Sequence, residues 1–266
     1  MHSDQGPYRE LYEAILDYDG AGLAEDVVLP WARAHEAERR WFGALAAARV
    51  TEVPARTIED CWRLYAMSRV CDLLRLGFAR RPGYEGGWTI AVPPTAYDEF
   101  MAAFEMQRIG EPRFHPFFHE VVIVEQDADD DASPRVLAEQ WPGHTLGPLL
   151  FARAGVRVAA GRRHLFKEIA EGSTLYWAYA RNNRPAQDLS HGWGGNSQWR
   201  TRFRRDYAIA GEFFYNVDAT PGPPDPEDDL TADEWRELVR HRCFVRCAKP
   251  HGDRFPYDRS HREPRP

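Results

Sequence analysis

The chain has 266 residues, a net charge of −7 at pH 7 and a hydrophobic content of 43%. This composition supports a real core, and the acidic balance makes nucleic acid or an anionic membrane surface an unfavourable partner. No apolar run of about 18 residues is present and no basic, apolar leader opens the sequence, so we expect neither a membrane span nor a signal peptide. The four cysteines form no Cys-x-x-Cys pair, which favours reduced thiols and a cytoplasmic protein.

The first part of the chain has the pattern of helices. Apolar residues recur at spacings of three and four through most of residues 7–82, as one buried helix face requires. Thr57, with Asp60 three residues later, resembles a capping box and predicts a helix from Thr57 to Phe78. A short strand over Trp88–Val92 and a helix over Thr95–Met106 are predicted next.

The sequence changes character after Gly110. Residues His119–Glu125 are β-branched and apolar enough for a buried strand. An acidic turn over 127–134 and a returning strand over Val136–Trp141 predict a hairpin. Further predicted strands are Leu149–Phe151, Gly155–Val158, Thr174–Tyr179 and Phe213–Val217, and a helix over 165–172 is left open.

The C-terminal region begins with a Pro-rich, acidic linker. Thr231 and Glu234 then form a second capping-box pattern, which predicts a helix to about Cys243 followed by an irregular tail from Lys249. Together these elements predict an α+β fold in a single domain, 1–266. Its parts are a helical part (about 1–109) packed on an antiparallel or mixed sheet (about 110–218), a linker (219–230), and a helix with a tail (231–266).

Two histidines precede and open the first long strand. His115 and His119 lie four residues apart, so their side chains point the same way in a helix and in a strand. Two such imidazoles are typical ligands of zinc, iron or copper, and His144, which follows a Pro-Gly turn, is a candidate third ligand. The alternative is that both histidines are packed among Phe114, Phe117 and Phe118 and are hydrogen-bonded to the backbone.

The predicted hairpin brings Glu125 near Glu139. Paired carboxylates are able to act as general acid and base, so Glu125 is a candidate catalytic residue. The alternative is that each glutamate faces solvent on the sheet.

The segment from Asp188 to Asp206 has the most unusual composition. It contains His191, which Asp188 or Ser190 would orient as a base or as a metal ligand, and Asp188 and His191 complete the predicted catalytic set. Its candidate substrate-binding residues are Trp193, Asn196, Arg200, Arg202 and Arg204, because arginines bind carboxylate or phosphate groups in a bidentate manner. The alternative is a structural loop whose arginines pair with acidic groups elsewhere.

The preferred interpretation is a small-molecule enzyme with a His-rich, metal-dependent site and an Arg-lined pocket for a small anionic molecule. Iron or copper would favour an oxygenase, and zinc a hydrolase. The second interpretation is a non-catalytic protein that binds an anion, a nucleotide or an acidic partner through the loop 188–206. The third is single-stranded nucleic-acid binding, which the acidic net charge disfavours.

Overall fold

The computed structural model describes residues 7–78, 90–173, 199–222, 230–247 and 259–266. Within these ranges five helices come first, and the strands follow with one helix among them and another near the C-terminus. The helices are α1 (Pro7–Asp17), α2 (Leu29–Ala34), α3 (Glu36–Ala47), α4 (Ile58–Leu74), α5 (Pro94–Ala102), α6 (Lys167–Gly172) and α7 (Ala232–His241). A π-helical turn (Ala24–Val28) precedes α2, and a 3₁₀ turn (Arg75–Gly77) follows α4.

The strands form two sheets. They are β1 (Gln107–Arg108), β2 (His119–Gln126), β3 (Arg135–Trp141), β4 (His144–Leu146), β5 (Leu149–Ala152), β6 (Ala154–Ala160), β7 (Asp206–Ile209), β8 (Glu212–Tyr215), β9 (Thr220–Pro221) and β10 (Arg259–Pro264). One sheet has the order β1-β4-β5-β7-β8-β10-β9 and the other the order β2-β6-β3. The pairs β2–β6 and β9–β10 are parallel and the other pairs are antiparallel, so the α+β prediction with a mixed arrangement is confirmed.

Both predicted capping boxes are present. The Thr57 hydroxyl accepts the Asp60 backbone N–H at 3.1 Å and begins α4, and Thr231 accepts that of Glu234 at 3.3 Å and begins α7. In each pair the carboxylate also accepts the backbone N–H of the threonine. Two of the free N–H groups of each first turn are therefore satisfied, which fixes where these helices start.

The predicted β2–β3 hairpin is wrong. β6 lies between the two strands, parallel to β2 and antiparallel to β3. The acidic turn therefore leads from one edge of the three-stranded sheet to the other. The physical reason is that six of the seven residues of β6 are small or apolar and buried, with Arg157 the one exposed residue, so β6 competes well for the central position.

Four other predicted elements differ or fall wholly or partly outside the described residues. Residues 259–264, predicted as irregular tail, form β10 and pair with β8. The helix predicted over Thr95–Met106 ends at Ala102, before Glu105 with its positive φ of 59°. Ile90–Val92 is not in a strand, whereas Trp88 and the strand predicted over 174–179 lie outside the described ranges.

Three buried clusters place α7 between the two sheets. The largest joins the helices of the first half to β4, β5 and β7. In the second, Trp235 and Val239 of α7 pack on Phe213 and Tyr215 of β8. In the third, Cys243 and Val245, which follow α7, pack with α6 against the inner face of the three-stranded sheet.

Candidate functional site

A cleft of about 340 Å³ lies between α7 and the loops that flank the three-stranded sheet. Its walls are one face of α7, the segment before β2, the loop after β6 and the loop after α7. Its charged and imidazole groups are Arg163, Arg236, Arg240, Arg246, Asp233, Glu237, His115, His164 and His241. Phe114, Leu165 and Val245 supply apolar surface, so the cleft combines cationic donors with an apolar wall.

The polar face of α7 forms one wall. Asp233, Arg236, Glu237, Arg240 and His241 are spaced by three, one, three and one residues, which places them on one side of a helix. The opposite side carries Trp235, Leu238 and Val239, which are buried. Burial of this apolar side orients the helix so that its polar side faces the cleft.

Buried arginines hold the C-terminal end of α7. Arg204 donates from Nη2 to the Val239 carbonyl at 2.7 Å, and Arg153 donates from Nη1 to the His241 carbonyl at 2.8 Å. Carbonyls of a last helical turn have no partner within the helix, and cations interact favourably with this end. Both guanidiniums therefore fix the position of the turn that carries His241.

Glu237 ties the loop after α7 to the helix. Its Oε1 accepts the backbone N–H groups of Val245, Arg246 and Cys247 at 2.6, 2.6 and 3.1 Å. A single carboxylate that accepts three backbone hydrogen bonds makes the loop follow the helix. The side chain of Arg246 is thereby positioned beside the α7 wall, with its Nε 3.4 Å from Glu237 Oε2.

The four cleft arginines each have a carboxylate partner. Arg163 pairs with Asp131 at 2.9 Å, Arg236 with Asp233 at 2.7 Å, Arg240 with Glu263 at 3.0 Å and Arg246 with Glu237 at 3.4 Å. A guanidinium has five N–H donors, so one such pair leaves donors for a ligand. The side chains of Arg236 and Arg246 are 45% and 49% exposed, which leaves both accessible.

His115 lines the cleft, but both of its ring nitrogens are engaged. Nδ1 accepts the Phe117 backbone N–H at 3.2 Å, and Nε2 faces Glu263 Oε1 at 3.7 Å. Burial, with the charge of Arg240, lowers the pKa of His115 to about 4. The neutral ring therefore carries its hydrogen on Nε2, and its one lone pair is already used.

His119 is buried beside it and is similarly engaged. Its Nδ1 accepts the His115 backbone N–H at 3.0 Å, and the ring also hydrogen-bonds the backbone of Glu111. Burial lowers the pKa of His119 below its ordinary value. His115 and His119 therefore lie close together, and backbone N–H groups occupy the lone pairs of both rings.

His144 has different surroundings. Its Nε2 lies 3.1 Å from Asp98 Oδ1, its ring packs on Tyr97, and burial lowers its pKa to about 4. Within the described part of the chain, no group of three or more His, Cys, Asp or Glu side chains is arranged to hold a metal ion. His115, His119 and His144 thus form no such group, and a site that includes His191 remains a prediction because His191 lies outside the described ranges.

The predicted substrate arginines do not line the cleft. Arg204 is buried and its Nε donates to Asp206 at 3.0 Å. Arg200 lies over the Trp62 ring at 5.5 Å, and Arg202 is exposed. The other residues predicted in this segment, Asp188, Trp193 and Asn196, lie outside the described residues.

Glu125 is on the exposed face of the three-stranded sheet. It forms an ion pair with Arg157, and both side chains are close to half exposed. The expected neighbour, Glu139, forms an ion pair with Arg108 instead. Since β6 separates the two strands, Glu125 and Glu139 do not form the paired carboxylates that the hairpin predicted.

His241 lines the cleft, although it was not predicted as a site residue. Its ring stacks on Phe114 with centroids 6.2 Å apart and an interplanar angle of 20°, and His119 stacks on Phe114 at 5.8 Å. Burial lowers the pKa of His241 well below its ordinary value, and the charges of Arg240 and Arg153 add to this effect. The ring makes no hydrogen bond to any residue of the described ranges, so its lone pair is free there.

Comparisons of the chain with protein-family models, with curated proteins and with solved structures found no match. In the described segments, none of the helices has the length and apolar character needed to cross a membrane.

Proposed function

We propose that the chain binds a small molecule with a phosphate or carboxylate group in the cleft between α7 and the three-stranded sheet. The observation that carries this proposal is the convergence of Arg163, Arg236, Arg240 and Arg246 on one cleft. Guanidinium groups form short, charge-assisted hydrogen bonds to both kinds of anion. The proposed ligand is thus a small anionic molecule, as predicted from the sequence, but the arginines that would bind it are not the predicted Arg200, Arg202 and Arg204.

The size and apolar wall of the cleft support a ligand larger than a bare ion. A volume of about 340 Å³ falls at the lower end of the range for small-molecule sites. Of the apolar lining residues, Phe114 is partly buried and is placed to contact an apolar or aromatic portion of the ligand, whereas Leu165 and Val245 are almost fully buried. The proposed ligand is therefore a phosphate monoester or a carboxylate that carries a small apolar group.

The proposal does not use a histidine-bound metal. The lone pairs of His115 and His119 accept backbone N–H groups, and coordination of a metal would have to replace both hydrogen bonds. The proposed ligand still has the anionic group that the enzyme interpretation predicts. The unprotonated imidazole of His241 lies beside it in the cleft.

Isothermal titration calorimetry with phenyl phosphate tests the proposal. The wild-type chain is expected to bind, and Arg236→Gln and Arg246→Gln are each expected to weaken binding by about tenfold, since a hydrogen bond to a charged group contributes about 1.4 kcal/mol or more. Arg33→Gln is the matched control, because Arg33 is an exposed arginine outside the cleft, 3.6 Å from Glu99. All titrations are done at one ionic strength.

The same titrations also provide the results that would contradict the proposal. If the wild-type chain does not bind phenyl phosphate, or if Arg33→Gln weakens binding as much as Arg236→Gln does, the cleft is not the site.

A further inference from the structure

His241 differs from His115 and His119 in the state of its lone pair. His115 and His119 each accept a backbone N–H, and His164 lies at the outer loop with Nε2 3.2 Å from the Asp131 carbonyl. His241 lines the cleft, and its ring has no hydrogen-bond partner within the described ranges. A neutral imidazole with a free lone pair is a nucleophile.

Contacts on both the ring and the backbone of His241 position this residue in the cleft. One face stacks on Phe114, and the His241 carbonyl accepts a hydrogen bond from the buried Arg153. Arg236 and Arg240 lie on the same side of α7, five residues and one residue before it, respectively. Cations next to an imidazole oppose its protonation, so the ring keeps its lone pair at neutral pH.

We propose that His241 is a phosphoryl-accepting nucleophile and that the cleft takes phosphoryl compounds as substrates. This inference rests on the proposed anion binding and adds a reaction to it. The arginines that hold the phosphate group would also stabilise the charge on its oxygens during transfer, which is the main requirement of phosphoryl transfer.

The step balances without an oxidant or reductant. The lone pair of the unprotonated ring nitrogen forms a bond to phosphorus, while the bond from phosphorus to the leaving group breaks and its electron pair stays with that group. The other ring nitrogen then gives its proton to water or to the leaving group. Water hydrolyses the phosphohistidine and returns the free imidazole and inorganic phosphate.

The test uses phosphoramidate as the phosphoryl donor and the full chain. Intact-mass measurement is expected to show the addition of one phosphoryl group with release of ammonia, and peptide mapping is expected to place it on His241. The adduct should be labile to acid, as a phosphorus–nitrogen bond is. His241→Gln should lose the adduct, and His164→Gln, which changes another histidine that lines the cleft, should keep it.

Two outcomes overturn the inference. One is the absence of an adduct on the wild-type chain, and the other is an adduct that persists in His241→Gln. Calorimetry with phenyl phosphate on the same samples separates the two proposals. If phenyl phosphate binds without adduct formation, only the phosphoryl-transfer inference fails; if neither is observed, the proposed function fails as well.

Discussion

Arg240 of α7 and Glu263 of β10 form an ion pair in which Nε lies 3.0 Å from Oε1. The same carboxylate oxygen accepts the Tyr215 hydroxyl at 2.7 Å and faces His115 Nε2 at 3.7 Å. One side chain near the C-terminal end of the chain therefore contacts two residues that line the cleft. This arrangement links the position of β10 to the shape of the cleft.

Glu263→Gln is expected to destabilise the fold by about 2 kcal/mol at neutral pH. Burial acts to raise the pKa of Glu263, but the neighbouring His261, the Tyr215 hydroxyl and Arg240 hold it at about 2, below its ordinary value of 4.5. The stabilisation is therefore present above about pH 4.5 and is lost as the pH falls towards about 2.

Urea denaturation at neutral pH and at about pH 3 measures this difference. Wild type and Glu263→Gln should differ less at the lower pH. Glu13→Gln, in an exposed pair with Arg9, should change stability by less than about 0.5 kcal/mol. A difference between wild type and Glu263→Gln that does not change with pH would contradict the assignment of a lowered pKa.

Asp206→Asn is expected to destabilise the chain by about 3 kcal/mol. Asp206 is buried and accepts hydrogen bonds from Arg204 at 3.0 Å, from Arg242 at 2.9 Å and from the Asn216 backbone at 2.6 Å. Despite burial, the two arginines lower its pKa to about 2, so removal of the charge leaves buried cations uncompensated. The control is Asp233→Asn in an exposed pair, for which a change of at most about 1 kcal/mol is expected.

Thermal denaturation followed by circular dichroism compares the two variants. An equal loss of stability in both would show that the buried pairs of Asp206 contribute no more than a surface pair does.

Local features such as the starts of helices were predicted correctly from the sequence, whereas the order of the strands in the three-stranded sheet was not. Thr57 and Thr231 begin helices as expected, because a capping box is determined by residues three apart. The β2–β3 hairpin was wrong because strand order depends on long-range competition, and nothing near Val136 in the sequence signals that β6 takes the central place. β10 was missed because its residues, Arg259–Pro264, have the polar composition of a tail.

The site was only partly predictable for a related reason. His115 was selected for its spacing from His119, and it does line the cleft. The spacing of Arg236, Arg240 and His241 on α7 was visible as well, but a polar helix face is usually solvated, and only the loop held by Glu237 turns this one into a wall. Arg204 was predicted to bind substrate because it lies in a segment of unusual composition, but its guanidinium pairs with the buried Asp206.

Gly155→Ala is expected to destabilise the three-stranded sheet by about 2 kcal/mol. A Cβ at Gly155 would overlap the indole ring of Trp141, which is buried and donates from Nε1 to the Arg153 carbonyl at 3.2 Å. Gly172→Ala is the control, since a Cβ there meets nothing within 4 Å. Urea denaturation of both variants checks the prediction, and equal midpoints would contradict the close packing of Trp141 on Gly155.

Diethyl pyrocarbonate is expected to modify His241 faster than His115 or His119. The reagent acylates an unprotonated, accessible ring nitrogen, and the backbone N–H groups of Phe117 and His115 occupy the lone pairs of the latter two. Peptide mapping by mass spectrometry after short exposures measures each rate. Equal rates at His115 and His241 would contradict the hydrogen-bond assignment, and added phenyl phosphate should slow the reaction at His241.

The most direct test of anion binding in the cleft is a crystal structure of the chain with tungstate, an analogue of phosphate that is located by its anomalous signal. We expect a tungsten peak within hydrogen-bond reach of Arg236 and Arg246, beside His241, and its loss in the Arg236→Gln, Arg246→Gln double variant. A cleft without a tungsten peak, or a peak that persists in the double variant, would contradict anion binding by these arginines in the cleft.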